Sequence, residues 1–344
     1  MGVRLDGIRE EDSRLDSAMI IADTRWAGQN GIGRYANEVL SRLTVTWSPI
    51  APSGSPSSPN DFLTKRVSVG GIKPAAIYSP GYNGFLRNVP QTITVHDLIH
   101  LEGPSATKYR PYYNLFLKPL IRKQRHVLTV SETSKRNLER WIDDSNVRVI
   151  NAGNGSSPSF MTSGARFQSL IPYYLYVGNL RAHKNVETVM EALSYLKDGN
   201  LHIVTKDRRA AEILAAKHGV SQRVRIFSDL NDDALAEMYR GARATVQPSL
   251  IEGFGLPALE AALCGSPVIF YNGCESVREI CAGGGRAVGV ANDAREWAAQ
   301  MSAVAEDEKF PDGVVLAEKY SWESVSQAVS TTLKSVSEPH ESDL

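Results

Sequence analysis

Pro248-Ser-Leu-Ile-Glu252-Gly-Phe-Gly-Leu-Pro257-Ala-Leu-Glu260, preceded by the apolar run Ala244-Thr-Val246, reads as a strand, a glycine loop and the first turn of a helix. Gly253 and Gly255 permit close backbone approach and unusual dihedrals. Pro257 suits the first helical position, where its missing N–H costs nothing. The free amides and positive dipole end of such a helix favour a phosphate. Glu260 falls in the first turn and can accept two hydroxyl hydrogen bonds, as a ribose would supply. Glu252, ahead of the loop, can reach a neutral polyol. The plainer reading is a strand–loop–helix joint with two solvated carboxylates, since short GxG pieces are common.

The same alternation extends in both directions. Downstream lies strand Pro267–Phe270; upstream lie strands Tyr174–Val177, His202–Val204 and Val224–Phe227, with helices expected near 185–197, 209–218 and 232–241. Earlier strand candidates are Met19–Ala22, Ala76–Tyr78, Thr92–Val95, Val127–Val130 and Val147–Ile150, most of them separated by helices. This βα alternation predicts an α/β protein with parallel sheets covered by helices on both faces. Residues 151–172 lack periodicity and are rich in Gly, Pro and Ser, which marks a domain boundary. The expected organisation is a solvated extension over 1–18, a Rossmann-like domain over 19–153, a linker over 154–173, a second Rossmann-like domain over 174–320, a C-terminal helix over 321–337 and a tail over 338–344. Gly28 to Gly33 reads as a loop, and the Ser/Pro-rich residues 48–60 as a mobile one. Two such domains imply a cleft, with ligands beyond the carboxyl ends of the strands.

Composition excludes several classes. The chain has 344 residues, 42% hydrophobic and 22% charged, enough for a large core without disulfide or metal staples. Lys+Arg and Asp+Glu both total 38, so net charge gives no argument for a nucleic-acid partner. Cys264, Cys274 and Cys281 lack zinc-ligand spacing and read as reduced thiols of a cytosolic protein. No apolar run is long enough for a membrane span. The charged first 17 residues are wrong for a signal peptide, and Met19 is a candidate natural start.

Glu252 and Glu260 around Gly-Phe-Gly-Leu-Pro resemble the E-x7-E element of retaining, nucleotide-sugar-dependent glycosyltransferases of the GT4 family (glycosyltransferase group 1), which have the GT-B fold of two doubly wound domains. Other segments agree in order: Gly31-Ile-Gly33-Arg34-Tyr35, Val95-His96-Asp97-Leu98, Val130-Ser131-Glu132, Val177-Gly178-Asn179-Leu-Arg181-Ala-His183-Lys184-Asn185 and Tyr320-Ser-Trp322-Glu323. The resemblance covers about residues 19–336. It implies that Glu260 holds the donor ribose and Glu252 the transferred sugar. It implies further that the amides of Phe254, Gly255 and Leu256 face sugar and diphosphate, and that Gly178 and Gly33 admit the donor. Lys184 and Arg181 would neutralise the leaving diphosphate, and His96 would contact the sugar. His183 stands where many members have arginine. In this family a front-face substitution is the usual proposal, so Glu252 is assigned to positioning and charge stabilisation. Asp232-Asp233 and Asp143-Asp144 read as cap or turn residues, and no DxD-like metal element is present. The expectation is therefore no cofactor and no metal, the donor substrate being a nucleoside diphosphate sugar.

Residues 108–126 hold six Lys/Arg and no acid among aromatic residues. They read either as a basic stretch lying on an anionic membrane, or as a long helix with its aromatic side packed inward. Arg34, Lys118, Arg122, Lys123 and Arg125 are the acceptor- or membrane-side candidates. The expected partners are the donor, a glycan or lipid-linked acceptor and an anionic membrane surface, with no nucleic acid. The expected location is cytoplasmic, peripheral at the inner face of the cell membrane. The expected reaction is hexose transfer in cell-surface polysaccharide biosynthesis. GDP-mannose is favoured as donor by analogy with bacterial mannosyltransferases, and UDP-glucose and other donors stay open. The rival classes are a sugar-nucleotide epimerase and a non-catalytic sugar-nucleotide-binding subunit. A dehydrogenase is disfavoured because Gly28-Gln-Asn-Gly31-Ile-Gly33 lacks GxGxxG spacing.

Overall fold

A computed structural model describes residues 19–28, 31–52, 54–56, 74–85, 89–102, 106–282, 284–305, 308–310 and 313–337. The expected extension over 1–18 and tail over 338–344 lie outside the described residues, as do residues 53 and 57–60 of the Ser/Pro-rich stretch. The chain divides into two compact units: residues up to Asn154 with Trp322 onward, and Gly155–Ser321.

The first unit contains β1 (Ile20–Asp23), α1 (Gly31–Leu40), β2 (Trp47–Ile50), β3 (Ala76–Ser79), β4 (Gln91–Ile93), α2 (Ala106–Tyr112), α3 (Lys118–Gln124), β5 (His126–Thr129), α4 (Glu132–Ile142) and β6 (Arg148–Asn151). Its strands are parallel in the order β2-β1-β3-β4, and a parallel bridge from Thr94 to Leu128 carries the sheet on to the β5–β6 pair. Two expectations are corrected here. Residues 47–50 form a strand where a mobile loop was expected to begin; β2 lies at the sheet edge, where Pro49 is tolerated despite its missing N–H. The expected loop Gly28 to Gly33 becomes helical from Gly31. A Cβ on Gly33 would come within 2.6 Å of the Gly28 carbonyl carbon, so its glycine lets the entering backbone lie against α1.

The basic stretch is not one α-helix either. A π-helical turn, Tyr113–Leu117, separates α2 from α3, with the Lys118 N–H donating to the Tyr113 carbonyl. Pro119 has no N–H for the Leu115 carbonyl, and the turn widens next to it. Tyr113, Leu117, Leu120 and Ile121 pack inward, with Val95 and Val127 in the same core.

The second unit contains β7 (Tyr173–Val177), α5 (Val186–Tyr195), β8 (Asn200–Val204), α6 (Arg208–Lys217), β9 (Val224–Phe227), α7 (Asp232–Gly241), β10 (Ala244–Gln247), α8 (Leu256–Leu263), β11 (Val268–Tyr271), α9 (Glu275–Cys281), β12 (Arg286–Val288), α10 (Ala294–Ser302) and α11 (Gly313–Lys319). All six strands are parallel in the order β12-β11-β10-β7-β8-β9. Counted within the unit this is the dinucleotide-fold order 3-2-1-4-5-6. The strand order reverses between the neighbours β7 and β10, and in sheets of this kind ligands sit beyond the carboxyl ends of the strands at that point. Apolar residues such as Leu175, Leu201, Val246, Ile269 and Trp297 are buried throughout this core.

The last helix, α12 (Trp322–Ser337), belongs to the first unit. Val325, Val329 and Leu333, spaced four apart, are buried along one face. Ser326 Oγ donates to the Val39 carbonyl at 3.3 Å, and Ser330 Oγ accepts from the Thr44 N–H at 3.0 Å. Trp322 meets Tyr35 edge to face at 6.0 Å.

Candidate functional site

In the second unit the two loops at the reversal point meet. The loop after β7 tightens into a 3-10 turn, Ala182–Lys184, in which the Lys184 N–H donates to the Arg181 carbonyl at 2.8 Å. The loop after β10 crosses it, and the Leu250 N–H donates to the His183 carbonyl at 2.8 Å. This backbone tie brings together side chains 68 positions apart: Lys184 Nζ lies 2.6 Å from Glu252 Oε1, with the side chains 16% and 10% exposed. Gln247, at the end of β10, donates from Nε2 to the same oxygen at 2.9 Å. Ser276 Oγ donates to the Glu252 carbonyl at 2.9 Å and holds the loop against α9.

Glycine is required at the next step. Gly255 has φ +105° and caps α8, and a Cβ there would come within 2.9 Å of Val277. Gly255 supplies no capping side chain, Pro257 has no N–H, and the Ala258 and Leu259 amides donate to the Gly255 carbonyl at 3.0 and 3.2 Å, so the helix offers a ligand its Leu256 amide. Leu256 and Pro257 open this helix, and the Phe254 ring turns inward, edge-on to Tyr320 at 5.3 Å. Glu260 is buried at 5% exposure one turn further on, where Tyr239 donates to its Oε2 at 3.0 Å.

Other expected residues are placed differently. Gly178 has φ +148°, and its amide is committed to the sheet through the Val204 carbonyl at 3.0 Å, so what it offers is the absence of a side chain. That absence matters because a Cβ would come within 2.9 Å of the Tyr176 hydroxyl. Arg181 contributes its carbonyl to the turn while its side chain is exposed, outside the Lys184–Glu252 pair.

The charges at this point, Lys184 and Glu252, are paired with one another, and the field of Glu252 reaches the neighbouring side chains. Burial and the nearby Glu252 charge push the Cys274 thiol up to about 12, so it stays protonated and is no nucleophile at neutral pH. Burial, then the Glu252 and Asp207 charges, raise Tyr176 well above the usual phenol range. Among the described residues no group of His, Cys, Asp and Glu is arranged to hold a metal ion.

In the first unit His96 follows β4 and is 6% exposed. Its Nε2 lies 2.8 Å from the Pro80 carbonyl, which only accepts, so Nε2 carries the proton. Burial lowers its pKa, outweighing the Pro80 carbonyl and Asp97, and the ring is neutral at pH 7. Tyr35 meets it edge to face at 4.8 Å. Arg34 is half-buried on α1. Lys118 lies over the Trp141 ring at 5.7 Å. The Arg122 guanidinium donates to the Ile142 and Asp143 carbonyls at 2.6 and 3.0 Å, closing the C-terminus of α4. Lys123 and Arg125 are exposed, Arg125 ending α3 at φ +58°.

Sequence reasoning missed Gln247, Tyr239 and Ser276. Gln247 carried a usable signal, a polar residue closing an apolar parallel strand. Tyr239 and Ser276 sit on helices whose facing loop is known only from the fold.

Two family models match: glycosyl transferases group 1 over residues 165–335, and glycosyltransferase family 4 over residues 73–153. The O-antigen chain mannosyltransferase RfbU of Salmonella typhimurium is 30% identical over 236 residues, covering 67% of this chain and 63% of the relative. The O-antigen chain mannosyltransferase B of Escherichia coli is 25% identical over 264 residues, covering 67% and 66%. The chain thus spans just under two thirds of the length of these relatives. Among solved structures, a sucrose-phosphate synthase from Thermosynechococcus elongatus superposes with a TM-score of 0.70 at 18% identity, covering 93% of this chain and 99% of that one. A glycosyltransferase from Rickettsia africae gives 0.68 at 16%, covering 94% and 99%. This likeness shows the fold, GT-B with two Rossmann-like domains.

Proposed function

The chain belongs to the group 1 glycosyltransferases, and we propose that it is a retaining, metal-independent hexosyltransferase using a nucleoside diphosphate sugar. Mannose from GDP-mannose is the favoured donor group, and a glycan or lipid-linked saccharide of cell-surface polysaccharide synthesis the acceptor. The names of the two O-antigen relatives support this choice of sugar and pathway.

The observation that carries the reading is the Lys184–Glu252 pair just ahead of an uncapped helix N-terminus at the β7/β10 reversal. A departing diphosphate gains negative charge in the transition state. Preplaced cations and amides stabilise that state more than the bound donor, which lowers the barrier. Lys184 and the amides of Gly255 and Leu256 take this role, and a second cation, Arg181, can swing in from the surface. They supply positive charge of the kind a divalent ion would otherwise provide, which supports metal independence. Glu260 receives the ribose hydroxyls and Glu252 a hydroxyl of the transferred sugar. His96, as a neutral imidazole, is assigned to the sugar on the family likeness. In front-face transfer the acceptor oxygen bonds to the anomeric carbon as the glycosidic bond to phosphate breaks, and the departing phosphate takes the acceptor proton. No enzyme nucleophile is then needed, and Glu252 keeps its positioning role.

A peripheral contact with anionic membrane is proposed for the α2–α3 segment. Leu115 is 68% exposed there, and Lys108, Arg110, Lys123 and Arg125 are exposed with it. No helix among the described residues is long and apolar enough to cross a membrane.

The test is calorimetry with UDP, GDP and ADP and their sugars, followed by transfer assays with the sugar that binds. Binding of GDP-mannose and a product of retained anomeric configuration are expected. Failure to bind any of these ligands, or hydride exchange or epimerisation without acceptor, overturns the reading.

A further inference from the structure

Gln247 makes a set of contacts with no evident purpose in the fold alone. It closes β10 at 1% exposure, and both protons of its amide are used, one toward Glu252 Oε1 at 2.9 Å and one toward Ser249 Oγ at 3.3 Å. Its own Oε1 is buried without a hydrogen-bond partner. A parallel-strand interior offers cheaper occupants, because an apolar side chain of this size leaves no orphaned acceptor. Turning the amide over would let the Ser249 hydroxyl donate to the carbonyl oxygen, but it would set that oxygen against the Glu252 carboxylate. The orientation is therefore dictated by Glu252.

Lys184 and Gln247 both bond Oε1 of Glu252, and Oε2 accepts from neither. Lys184 and Glu252 neutralise one another. A diphosphate competes for the Lys184 ammonium, and when Lys184 turns to it the carboxylate loses its nearest cation. Gln247 is neutral, held by the strand and unable to follow a phosphate, so it stays on Oε1 throughout.

We propose that Gln247 is a positioning residue that keeps the Glu252 carboxylate in place while Lys184 changes partner, so that Oε2 remains aimed at a hydroxyl of the transferred sugar. The inference rests on the assignment of Glu252 to that sugar. It makes the contribution of the sugar to binding, and not that of the nucleotide, depend on Gln247.

The experiment compares wild type, Q247M, Q247N, E252Q and the double variant Q247M/E252Q in calorimetry with GDP, GDP-mannose, UDP and UDP-glucose, and in transfer assays. Q247M keeps the volume and removes the donors; Q247N keeps the amide but draws it back by one methylene, and serves if Q247M fails to fold. The expected result is a nucleoside diphosphate affinity within twofold of wild type. The extra affinity given by the sugar is lost, and kcat falls ten- to a hundredfold. The double variant should be no worse than E252Q, since Gln247 acts through Glu252. Equal loss of affinity for nucleotide and nucleotide sugar, unchanged kcat, or additive effects in the double variant overturns the proposal. Failure of wild type to bind any of the four probes overturns the underlying assignment instead, and the inference with it.

Discussion

Tyr239 donates its hydroxyl proton to Glu260 Oε2 across 3.0 Å, both residues lying inside the second unit. A hydrogen bond to a charged acceptor contributes about 1.5–3 kcal/mol. Tyr239→Phe removes it without opening a cavity, so a lower melting temperature and a weaker grip on the ribose are expected together. Calorimetry should show roughly tenfold weaker binding of the nucleoside diphosphate, and undiminished binding would separate Glu260 from the ribose.

Lys184→Ala and Glu252→Ala are expected to reduce transfer by at least about a hundredfold, the scale for loss of one preorganised charge-stabilising group. Circular dichroism should show the fold intact, because the backbone tie from Leu250 to His183 does not use either side chain. Wild-type turnover by either variant would remove the pair from the chemistry.

Transfer should persist in EDTA. Activity lost on chelation and restored by Mn²⁺ or Mg²⁺ would show that Lys184 and the amides of Gly255 and Leu256 do not suffice for the departing diphosphate.

Stability should fall with acid, and one source is a histidine outside the site. His202 in β8 stacks on Tyr173 with ring centroids 4.0 Å apart and is flanked by Phe167 and Phe227. Burial, with Arg225 adding repulsion, lowers its pKa from 6.5 to about 4. The folded value lies below the unfolded one, so between these pH values the unfolded chain binds more protons. Stability is therefore held above pH 6.5 and lost as the pH falls toward 4, by on the order of 3 kcal/mol from this group at pH 4. His202→Phe should flatten the acid limb of a plot of melting temperature against pH; an unchanged limb would assign it to other groups, of which buried His96 and half-buried His126 are the first to examine.

Co-sedimentation with phosphatidylglycerol-containing vesicles should exceed that with neutral vesicles and fall with salt. Leu115→Glu should weaken it further. Binding that ignores lipid charge would leave the α2–α3 segment as an inward-packed helix pair with a solvated basic face.

Much of the architecture was legible locally. Alternation of apolar strands with helical patterns located strand Val224–Phe227 residue for residue and the following helix near 232–241; its cap is Asn231, which accepts from the Ala234 N–H, while Asp232 and Asp233, read as cap or turn residues, lie in its first turn. The E-x7-E segment told of a glycine loop running into a helix at Pro257; the helix opens one residue earlier, with Gly255 as its left-handed cap. Three kinds of feature were not legible. Arg286–Val288 is too short and too close to glycines to show a period, yet β11 gives it a pairing partner. Trp47–Ile50 carries a proline that only an edge position excuses. The contact between Lys184 and Glu252 depends on which strands are neighbours, and periodicity does not report neighbours; only the family likeness pointed at both residues.

The return of Trp322–Ser337 to the first unit has a consequence for biosynthesis. The strands of that unit leave the ribosome before the intervening unit but wait, with the face along Tyr35 and Val39 uncovered, until residues 322–337 have emerged. The intervening unit is contiguous in the chain and can finish folding first. Removing residues 322–337 therefore injures the unit whose strands are made earlier and leaves the later-made nucleotide-fold unit complete.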